Sequence, residues 1–522
     1  MRCYYSTVAS FYVQNFGCRA TQADGAAIEH QFEEQGLERA GAASEAQIVV
    51  LNTCTVTASA DQDARAAIRR VHRENPGARI VVTGCYAQRS PEELAALPGV
   101  AQVIGNSHKH QLAEIAASEA PTRTRVPTST LISVSSLTAT RDSSRRPTTD
   151  DRRPIFVSDI FAHTELLAAP VFDAANERTR PNLKIQDGCD NRCSFCVIPF
   201  VRGQSRSMKT TQILHEVNAL VAAGYRELVI SGINLGRWGR DLEAGVRSQV
   251  SGLRSQATAA AIEDLSRGPT TDDRGPDSID DQRLVHLVRA ILEHTPLEKL
   301  RISSVEPMDW TDELIDLVAT SPRIAKHAHV PMQSGSDAVL RRMHRKYRPW
   351  HYREKIEKIR AAMPTAAIGA DVMVGFPGET DTEFEETRRM IEDLPFTYLH
   401  VFTYSARPGT PAADMPRQVP VHVARDRNRI VRELAEQKKL AFMRSFIGKT
   451  VEAITLTGTD KSRGETLVPR TGRHQFTEAL TDNYLKLQLQ GKHVSNLWIR
   501  AKVSQVQNSI LVGTTENCDL AP

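Results

Sequence analysis

Short apolar segments alternate with helical stretches from residue 182 onward, and this alternation restricts the possible folds more than any other feature. Six candidate strands follow one another, at residues 182–188, 227–233, 299–305, 327–332, 367–376 and 398–405. Helical stretches separate them, for example 208–223, 350–362 and 381–394. Strands that alternate with helices form parallel sheets. Six such units in order predict a partial (β/α)6 barrel, in which the loops after the strands carry the chemistry.

A similar alternation near the N-terminus places a cysteine after each of three strands. The segments SFYVQNFGC, AQIVVLNTC and ARIVVTGC end at Cys18, Cys54 and Cys85, and helical stretches follow near 21–36, 58–74 and 91–97. This pattern predicts an open parallel α/β domain over residues 10–115. Because ligands bind at the carboxyl edge of such sheets, cysteines far apart in sequence can meet at one rim. Three buried apolar thiols are the alternative interpretation.

The other segments complete the domain organisation. After a basic helical stretch at 422–446, short β-rich runs predict a small all-β barrel at 447–516. Residues 447–513 contain nine Lys or Arg and five Asp or Glu, which suits a nucleic-acid backbone, with dimerisation or packing as the alternative. Segments 116–175 and 241–280 are polar and lack periodicity, so we interpret them as a linker and a loop insertion. The (β/α) barrel domain then covers residues 176–446.

Composition and charge limit the classes of protein to which the chain can belong. Of 522 residues, 25% are charged and 40% are hydrophobic, as in globular proteins, and the net charge of +4 permits RNA as a partner. The sequence contains no run of 18 apolar residues, so no membrane span is expected. Gln14 and Asn15 interrupt the apolar residues near the N-terminus, so no signal peptide is expected. We therefore expect a cytoplasmic protein, in which cysteines serve metal or catalytic roles more readily than disulfides. Of the eight cysteines, Cys3 and Cys518 lie near the termini and are expected to be incidental.

The sequence GCDNRCSFC follows the first predicted barrel strand and holds Cys189, Cys193 and Cys196 in a C-x3-C-x2-C spacing. Thiolates this close together bind an iron–sulfur cluster or zinc. A closed zinc site needs four ligands, so a zinc knuckle requires a distant fourth residue. Three cysteines on a [4Fe–4S] cluster leave one iron open, and an open iron is a reactive site.

This spacing after a first barrel strand resembles the radical S-adenosylmethionine (SAM) superfamily. The resemblance implies that SAM chelates the open iron through its amino and carboxylate groups and is cleaved to a 5′-deoxyadenosyl radical. Polar residues at later strand ends are candidates to hold SAM or the substrate: Gly232, Asn234, Ser304, Glu306 and Gln333. Helix capping or turn formation is the alternative for each of them. Asp371 lies within the fifth strand and can instead be a core acid.

The order of the three domains resembles the methylthiotransferases, a radical-SAM family, over nearly the whole chain. The resemblance implies that Cys18, Cys54 and Cys85 bind a second [4Fe–4S] cluster whose open iron carries or donates sulfur, and that the C-terminal barrel is a TRAM RNA-binding domain. It also implies that C–H is replaced by C–SCH3, with one SAM supplying the methyl group and a second the radical. A reductant such as flavodoxin or ferredoxin and a sulfur donor are then partners. No catalytic residue beyond the cluster ligands is expected.

The residues within three sequence motifs distinguish the branches of this family. NTCTVT (52–57), GCYAQ (84–88) and KIQDGCDNRCSFC (184–196) resemble the MtaB-type branch. That branch implies modification of carbon 2 of threonylcarbamoyladenosine at position 37, in the tRNA anticodon stem-loop. The isopentenyladenosine branch usually has Arg-Glu after the second cysteine and Glu-Gly-Cys at the barrel motif, where this chain has Val-Thr and Asp-Gly-Cys. Isopentenyladenosine tRNA, a ribosomal-protein aspartate, and a non-enzymatic iron–sulfur or zinc RNA-binding protein remain the alternatives.

The basic segment RRMHRKYR is a candidate RNA contact close to the predicted barrel mouth. Its cations are Arg341, Arg342, Arg345, Lys346 and Arg348. Such a segment can pair with phosphates while its tyrosine stacks on an unpaired base. A solvated basic helix is the alternative interpretation.

Overall fold

The N-terminal sheet carries the first three cysteines. In this computed structural model, the structure describes residues 9–117, 154–163, 180–242, 283–456 and 476–516. The sheet has the order β2-β1-β3-β4-β5-β6, and all of its strand pairs are parallel. Its strands are β1 (Ser10–Asn15), β2 (Glu38–Arg39), β3 (Ile48–Thr53), β4 (Arg79–Gly84), β5 (Val100–Gly105) and β6 (Ile155–Phe156). The predicted open parallel α/β fold is confirmed.

Helices cover both faces of this sheet. They are α1 (Arg19–Glu34), α2 (Ala58–Glu74), α3 (Cys85–Arg89), α4 (Pro91–Ala95) and α5 (Leu112–Ala117). One hydrophobic cluster packs α1 and α5 against the sheet, and a second packs α2, α3 and α4 against it. The helix predicted near 91–97 is α4, which begins at Pro91, and the sequence pattern did not predict the short helix α3 before it. Pro91 has no backbone N–H with which to continue α3.

Part of the predicted linker belongs to the N-terminal sheet. β6 pairs in parallel with β5, which makes it an edge strand that the sequence pattern did not predict. Ile160, which follows it, is 3% exposed, and its carbonyl oxygen would lie 2.9 Å from a Cβ atom at Gly203 in the barrel domain. The rest of the predicted linker, and the predicted insertion from residue 243 onward, lie outside the described residues.

Six parallel strands form the predicted partial barrel. They are β7 (Asn182–Asp187), β9 (Glu227–Gly232), β10 (Lys299–Ile302), β11 (His327–His329), β12 (Ala367–Val374) and β13 (Tyr398–Thr403). A bridge between Ser304 and His329 connects the β10 and β11 segments. The two-residue strand β8 (Arg206–Ser207) pairs antiparallel with β7. Among the parallel strands, β7 and β13 therefore lie at the two ends of the curved sheet, and β8 lies beside β7.

The main hydrophobic core lies between the barrel strands and their helices. These helices are α6 (Ile198–Arg202), α7 (Thr210–Ala222), α8 (Leu284–His294), α9 (Asp312–Thr320), α10 (Asp337–Arg342), α11 (Pro349–Ala362), α12 (Asp381–Asp393) and α13 (Val421–Arg444). In β12, Ile368, Ala370 and Val372 belong to this core, so the alternate position Asp371 faces the barrel interior. Within the described residues, no helix has both the length and the apolar character that a membrane crossing requires.

The C-terminal region is the predicted small β-barrel. It closes in the order β14-β15-β16-β18-β17. Its strands are β14 (Thr450–Thr455), β15 (Phe476–Thr481), β16 (Lys486–Gln490), β17 (Trp498–Gln507) and β18 (Ile510–Thr515). The long helix α13 leads into it, and Met443 and Phe446 pack into its core. This barrel fits the TRAM domain that the resemblance implies.

The three domains meet around one tyrosine of the C-terminal barrel. Arg19 of the N-terminal domain donates to the Tyr484 hydroxyl at 3.1 Å. On the barrel side, the Arg301 guanidinium lies 5.2 Å from the Tyr484 ring centre and the His327 ring lies 4.9 Å from it. Arg19 directly follows Cys18, so this junction connects the first cysteine of the N-terminal sheet to the other two domains.

Candidate functional site

The loop after β7 brings the three clustered cysteines together. Gly188, with a φ of 71°, turns the chain into this loop, and a Cβ atom there would lie 1.8 Å from the Gln204 carbonyl oxygen. Cys189 N–H donates to the Gly203 carbonyl at 3.0 Å. Burial, followed by the neighbouring thiolates of Cys193 and Cys189, raises the pKa of Cys196 to about 12. The three cysteines therefore lie in one loop at the carboxyl end of the first barrel strand.

A buried arginine contacts this loop. Arg345 Nη1 donates to Cys193 Sγ at 3.2 Å, and Arg345 Nη2 pairs with the Glu306 carboxylate. Arg345 is 7% exposed, and its guanidinium lies 5.0 Å from the Tyr347 ring centre. Its Nε is buried without a hydrogen-bond partner among the described residues. Glu306 therefore lies close to the cysteine loop, together with an arginine that the sequence analysis assigned to RNA. A role of Glu306 in holding SAM or substrate stays a prediction.

The basic segment is not a continuous exposed patch. Arg342 and Arg348 each pair with an acidic side chain and are partly buried, and Arg345 points inward to the cysteine loop. The assignment of Arg345 to a surface RNA contact is wrong, because its guanidinium is enclosed by Cys193 and its carboxylate partner. Arg341 and Lys346 are exposed, and RNA contact through them stays a prediction.

The residues after β9 also reach the cysteine loop. Asn234 N–H donates to Gln186 Oε1 at 2.8 Å, and Asn234 Nδ2 lies 3.7 Å from Cys189 Sγ. Its Oδ1 is buried and lacks a partner among the described residues. A Cβ atom at Gly232 would lie 2.8 Å from the same Gln186 oxygen, so a larger residue would displace that amide. Their predicted role in holding SAM or substrate stays a prediction.

Polar side chains line the inner side of the last three barrel strands. Ser304 Oγ lies 2.9 Å from His329 Nδ1, and His329 Nε2 lies 3.4 Å from Asp371 Oδ1. His400 Nδ1 lies 3.2 Å from the same carboxylate oxygen. Burial opposes ionisation of Asp371, yet the adjacent imidazoles of His329 and then His400 hold its pKa well below its usual range. Asp371 is therefore an ionised group facing the barrel interior, and the sequence analysis missed both histidines.

Gln333 contributes its backbone to the barrel mouth. Its φ of 62° is left-handed, which costs on the order of 1 kcal/mol for a residue other than glycine. Gln333 N–H donates to the Asp371 carbonyl at 2.8 Å, and Gln333 C=O accepts from Met373 N–H at 2.8 Å. The strained turn therefore holds the end of β11 against β12, and a role of the amide side chain stays a prediction.

Cys18, Cys54 and Cys85 meet at the carboxyl edge of the N-terminal sheet. They follow β1, β3 and β4, which are neighbours in that sheet. A Cβ atom at Gly17, which has a φ of 97°, would lie 2.8 Å from Cys54 Sγ, so glycine lets the Cys18 loop approach Cys54. Burial, followed by the Cys85 thiolate and then that of Cys18, raises the pKa of Cys54 to about 12.

The short helix α6 connects the two cysteine sites. It begins two residues after Cys196, and Val201 within it packs against Cys85. Asn106 Nδ2 donates to the Val201 carbonyl at 2.7 Å and lies 3.6 Å from Cys85 Sγ. The five-residue helix α6 and the side-chain amide of Asn106 therefore link the two cysteine triads, which belong to different domains.

Both triads suit a cluster better than a single metal ion. A zinc ion about 2.3 Å from each sulfur needs sulfurs no more than about 4.6 Å apart. In the part of the chain that the structure describes, the only three His, Cys, Asp or Glu ligand atoms within 4.8 Å of one another belong to His329, Asp371 and His400. In each cysteine triad, therefore, the three sulfur atoms do not all lie within 4.8 Å of one another, as expected for ligands on different irons of one cluster.

Sequence reasoning also missed the buried charges beside the N-terminal cysteines. The side chain of Lys184, in a strand of the barrel, donates to Asp24 of α1 and to Asp187. Lys184 is 2% exposed. A lysine inside an otherwise buried strand is almost always paired, and that is the signal from which an ionic network could have been predicted.

Two family models match the chain. One is described as Uncharacterized protein family UPF0004 and matches residues 10–105. The other is the Radical SAM superfamily and matches residues 183–391. The two matches coincide with the N-terminal sheet and with the barrel, and each contains one cysteine triad.

Relatives match almost the whole chain. Threonylcarbamoyladenosine tRNA methylthiotransferase MtaB of Bacillus subtilis (strain 168) is 34% identical over 487 residues, which cover 93% of this chain and 91% of that protein. The MtaB protein of Aquifex aeolicus is 30% identical over 93% of this chain and 98% of its own length. The tRNA-2-methylthio-N(6)-dimethylallyladenosine synthase of Novosphingobium aromaticivorans is 31% identical over 89% of this chain and 88% of its own length.

A solved structure shares the fold. The radical S-adenosylmethionine methyltransferase TsrM from Kitasatospora setae, solved with cobalamin and a [4Fe-4S] cluster bound, aligns with a TM-score of 0.50. The alignment covers 78% of this chain and 77% of TsrM, at 15% identity, and so supports the architecture alone. The MtaB relatives, which are at least 30% identical over 93% of this chain, show that the chain belongs to the methylthiotransferase family of radical-SAM enzymes.

Proposed function

We propose that this protein is a tRNA methylthiotransferase that adds a methylthio group to carbon 2 of N6-threonylcarbamoyladenosine at position 37. The observation that carries the proposal is the pair of open cysteine triads that α6 ties together. When bound, two [4Fe–4S] clusters and SAM supply the radical and the sulfur that replace an unactivated C–H bond. The similarity to MtaB proteins supports this reaction.

Side chains at the barrel mouth are suited to orient SAM. The Arg345 guanidinium is buried beside Cys193, is held by Glu306, and keeps an unpartnered Nε–H. A carboxylate next to the open iron would complete its hydrogen bonds, and charge-assisted bonds of this kind are the strong ones. Asn234 holds the Cys189 side of the loop, and Gly232 keeps room beside it.

The polar barrel interior favours the threonylcarbamoyl substrate over an isopentenyl one. A threonylcarbamoyl group carries a carboxylate, a hydroxyl and a urea, whereas an isopentenyl group is a hydrocarbon. Ser304, His329, Asp371 and His400 form a connected polar chain on the inner side of the barrel. A site lined by such groups selects against an apolar analogue, because the polar atoms would be left unpaired.

His400 is the member of this chain best placed to contact the substituent. Its side chain is 56% exposed, and Asp371 holds Nδ1, which leaves Nε2 to face a ligand. We expect His400→Phe to lower the rate with threonylcarbamoyl-tRNA by about tenfold, which corresponds to one lost hydrogen bond. His422→Phe, at an exposed position on α13, is the matched control. A His400→Phe enzyme that keeps its full rate and substrate preference would contradict this contact.

The tRNA anticodon stem-loop is the partner that we propose for the C-terminal barrel and for the exposed cations Arg341 and Lys346. Phosphate contacts make binding depend on salt. Arg341→Glu with Lys346→Glu should weaken tRNA binding and flatten its salt dependence, whereas Arg389→Glu on α12, 71% exposed, serves as a control. A reductant such as flavodoxin or ferredoxin and a sulfur donor complete the system. This substrate places the reaction in the cytoplasm.

The decisive experiment is mass spectrometry of tRNA nucleosides from a strain that lacks this protein. We expect threonylcarbamoyladenosine to accumulate without its methylthio group, and the wild-type chain, but not Cys193→Ala, to restore the product. Loss of methylthio-isopentenyladenosine instead would assign the other tRNA substrate, and unchanged tRNA with an unmodified ribosomal-protein aspartate would assign a protein substrate. Absence of 5′-deoxyadenosine after anaerobic reconstitution and reduction would exclude an enzyme of this class.

A further inference from the structure

A buried ion-pair network, here called the Asp24 network, adjoins the N-terminal cysteines. Its members are Asp24, Lys109, Lys184, Asp187 and Arg202, and none is more than 6% exposed. Lys109 Nζ and Arg202 Nη2 lie 3.0 and 2.9 Å from Asp24 Oδ2, and Lys184 Nζ pairs with the other Asp24 oxygen. Arg202 Nη1 and Lys184 Nζ each lie 2.9 Å from Asp187. Three cations thus share two carboxylates.

A second buried group, here called the Asp61 triad, lies beside Cys54. Arg89 Nη2 and Arg407 Nη1 lie 3.0 and 2.7 Å from Asp61 Oδ2. The hydroxyl of Thr55, the residue after Cys54, donates to Asp61 Oδ1 at 2.6 Å, and its carbonyl accepts from Arg407 at 3.2 Å. Two guanidinium groups here share one carboxylate.

Each network therefore holds one more cation than it has carboxylates. An uncompensated charge is costly in a protein interior unless another charge lies nearby. Burial works against the charged form of Arg202, yet Asp187 and Asp24, followed by the Cys85 and Cys18 thiolates, hold its pKa well above its usual value. Val201, the residue before Arg202, packs in one cluster with Cys85, and Thr55, which bonds Asp61, follows Cys54. Cysteines bound to a cluster would therefore supply negative charge next to the excess positive charge.

Some nitrogen donors of these arginines lack a hydrogen-bond acceptor. Arg202 Nε, and Arg89 Nε and Nη1, are buried and have no hydrogen-bond partner among the described residues. Buried donors in folded proteins nearly always have an acceptor. The sulfur atoms of a thiolate-bound cluster accept such bonds, and hydrogen bonds to sulfur and net charge are among the factors that set the reduction potential of a cluster.

Some of the cations come from a different domain than the cysteines. Cys18, Cys54 and Cys85 belong to the N-terminal sheet, whereas Arg202 follows the first barrel strand and Arg407 lies after the last one. The two arginines thus reach acidic residues of the N-terminal domain from opposite ends of the barrel sheet. The electrostatic surroundings of the triad are complete only when the barrel is docked.

Resting on the proposed function, we infer that the Asp24 network and the Asp61 triad form a positively charged cage around the second cluster. Arg202 and Arg407 are positioning residues that set the reduction potential of this cluster from the neighbouring domain. A [4Fe–4S] core with three thiolates carries net negative charge, and reduction adds one more. Cations in a low-dielectric interior stabilise the reduced form, so their loss makes the potential more negative.

The test uses the full chain with Cys189→Ala, Cys193→Ala and Cys196→Ala, which leaves only the second cluster after anaerobic reconstitution. Redox titration monitored by electron paramagnetic resonance reports its potential without any turnover. We expect Arg202→Gln and Arg407→Gln to shift the potential to more negative values. Asp24→Asn should shift it to more positive values, because that change adds net positive charge. Arg69→Gln, exposed on α2, should leave it unchanged.

Opposite shifts separate the cage from a purely structural role, which would lower iron content in every variant without reversing sign. If Asp24→Asn fails to fold, the double change Asp24→Asn with Lys109→Gln keeps the net charge and should restore a potential near that of the unaltered background. Equal potentials in the Arg202→Gln and Arg69→Gln chains would overturn the cage while leaving the methylthiotransferase assignment intact. Absence of iron in the parent triple variant would overturn both.

Discussion

Each of the two sites has three cysteine side chains, but the chain brings these cysteines together in different ways. Cys189, Cys193 and Cys196 lie within eight residues, in one loop after one strand. The N-terminal triad is assembled from the ends of three strands separated by 36 and 31 residues, and its charged surroundings come partly from another domain. The first site needs a local turn, whereas the second needs a complete sheet and a docked barrel.

This difference teaches that the second site is the more sensitive to tertiary structure. Glycine positions and backbone hydrogen bonds within a short segment shape the radical-SAM loop. The N-terminal triad also depends on α6, on Asn106 and on the junction at Tyr484. Changes at domain contacts should therefore affect the second site first.

The largest expected effect separates the chemistry of the two triads. Cys193→Ala should abolish SAM cleavage and remove one cluster, because that cysteine holds the cluster to which SAM binds. Cys54→Ala should abolish sulfur insertion and remove the other cluster while SAM cleavage continues. Iron content and 5′-deoxyadenosine formation measure the two outcomes. SAM cleavage that survives Cys193→Ala would reverse the assigned roles.

Arg345 provides a large effect confined to the first site. Arg345→Met should weaken SAM binding by about 10- to 100-fold, since one charge-assisted hydrogen bond contributes about 1.5–3 kcal/mol. Equilibrium binding of SAM to the reconstituted chain measures this, and the iron content of the N-terminal site should not change. Arg341→Met, four residues earlier and exposed, is the matched control. Equal SAM affinity in both variants would remove Arg345 from the binding site.

Asn106 gives the corresponding test of the second site. Its amide supports Cys85 and the α6 carbonyl at Val201, so Asn106→Ala should lower the affinity for the N-terminal cluster by about 10-fold, as for other residues that support metal ligands. Iron release to a chelator measures this loss. The radical-SAM cluster should be retained at the same rate as in the wild-type chain, and its parallel loss would show that the two sites are not independent.

The smallest effect is a pH dependence at the Tyr484 junction. Burial, followed by Arg301 and His329, holds the pKa of His327 well below its usual value. Below pH of about 6.5, His327 is therefore protonated in the unfolded chain but not in the folded one. The free energy of unfolding is unaffected by this histidine above that pH, and it falls by up to about 1.4 kcal/mol for each pH unit below it. His327→Gln should reduce the decline in Tm between pH 7 and 5, and the exposed His422→Gln should not.

The strand pattern was sufficient to predict the fold, because hydrophobic periodicity is a local property. All six barrel strands and the helix Ala58–Glu74 appear where the sequence places them. The edge strand Ile155–Phe156 was missed because two residues carry no periodic signal, and the five-residue helix Cys85–Arg89 was also missed.

Side-chain roles were predicted less well, because they depend on contacts between distant segments. Glu306 and Asn234 lie beside the cysteine loop, but Arg345 was assigned to an RNA surface from a run of basic residues. A charge run says nothing about which member turns inward. His329 and His400 acquire a shared carboxylate only when β11, β12 and β13 align.

The amino-acid sequence by itself determined the radical-SAM loop, since the spacing of Cys189, Cys193 and Cys196 places three thiols together in any compact turn. It also determined the order of domains through periodicity and composition. It also predicted that Cys18, Cys54 and Cys85 meet at one sheet edge, but only the tertiary structure decided that arginines of the barrel pair with acidic residues of the N-terminal domain. Coulomb interactions act over a few ångströms in space, regardless of separation along the chain, so only the folded arrangement specifies them.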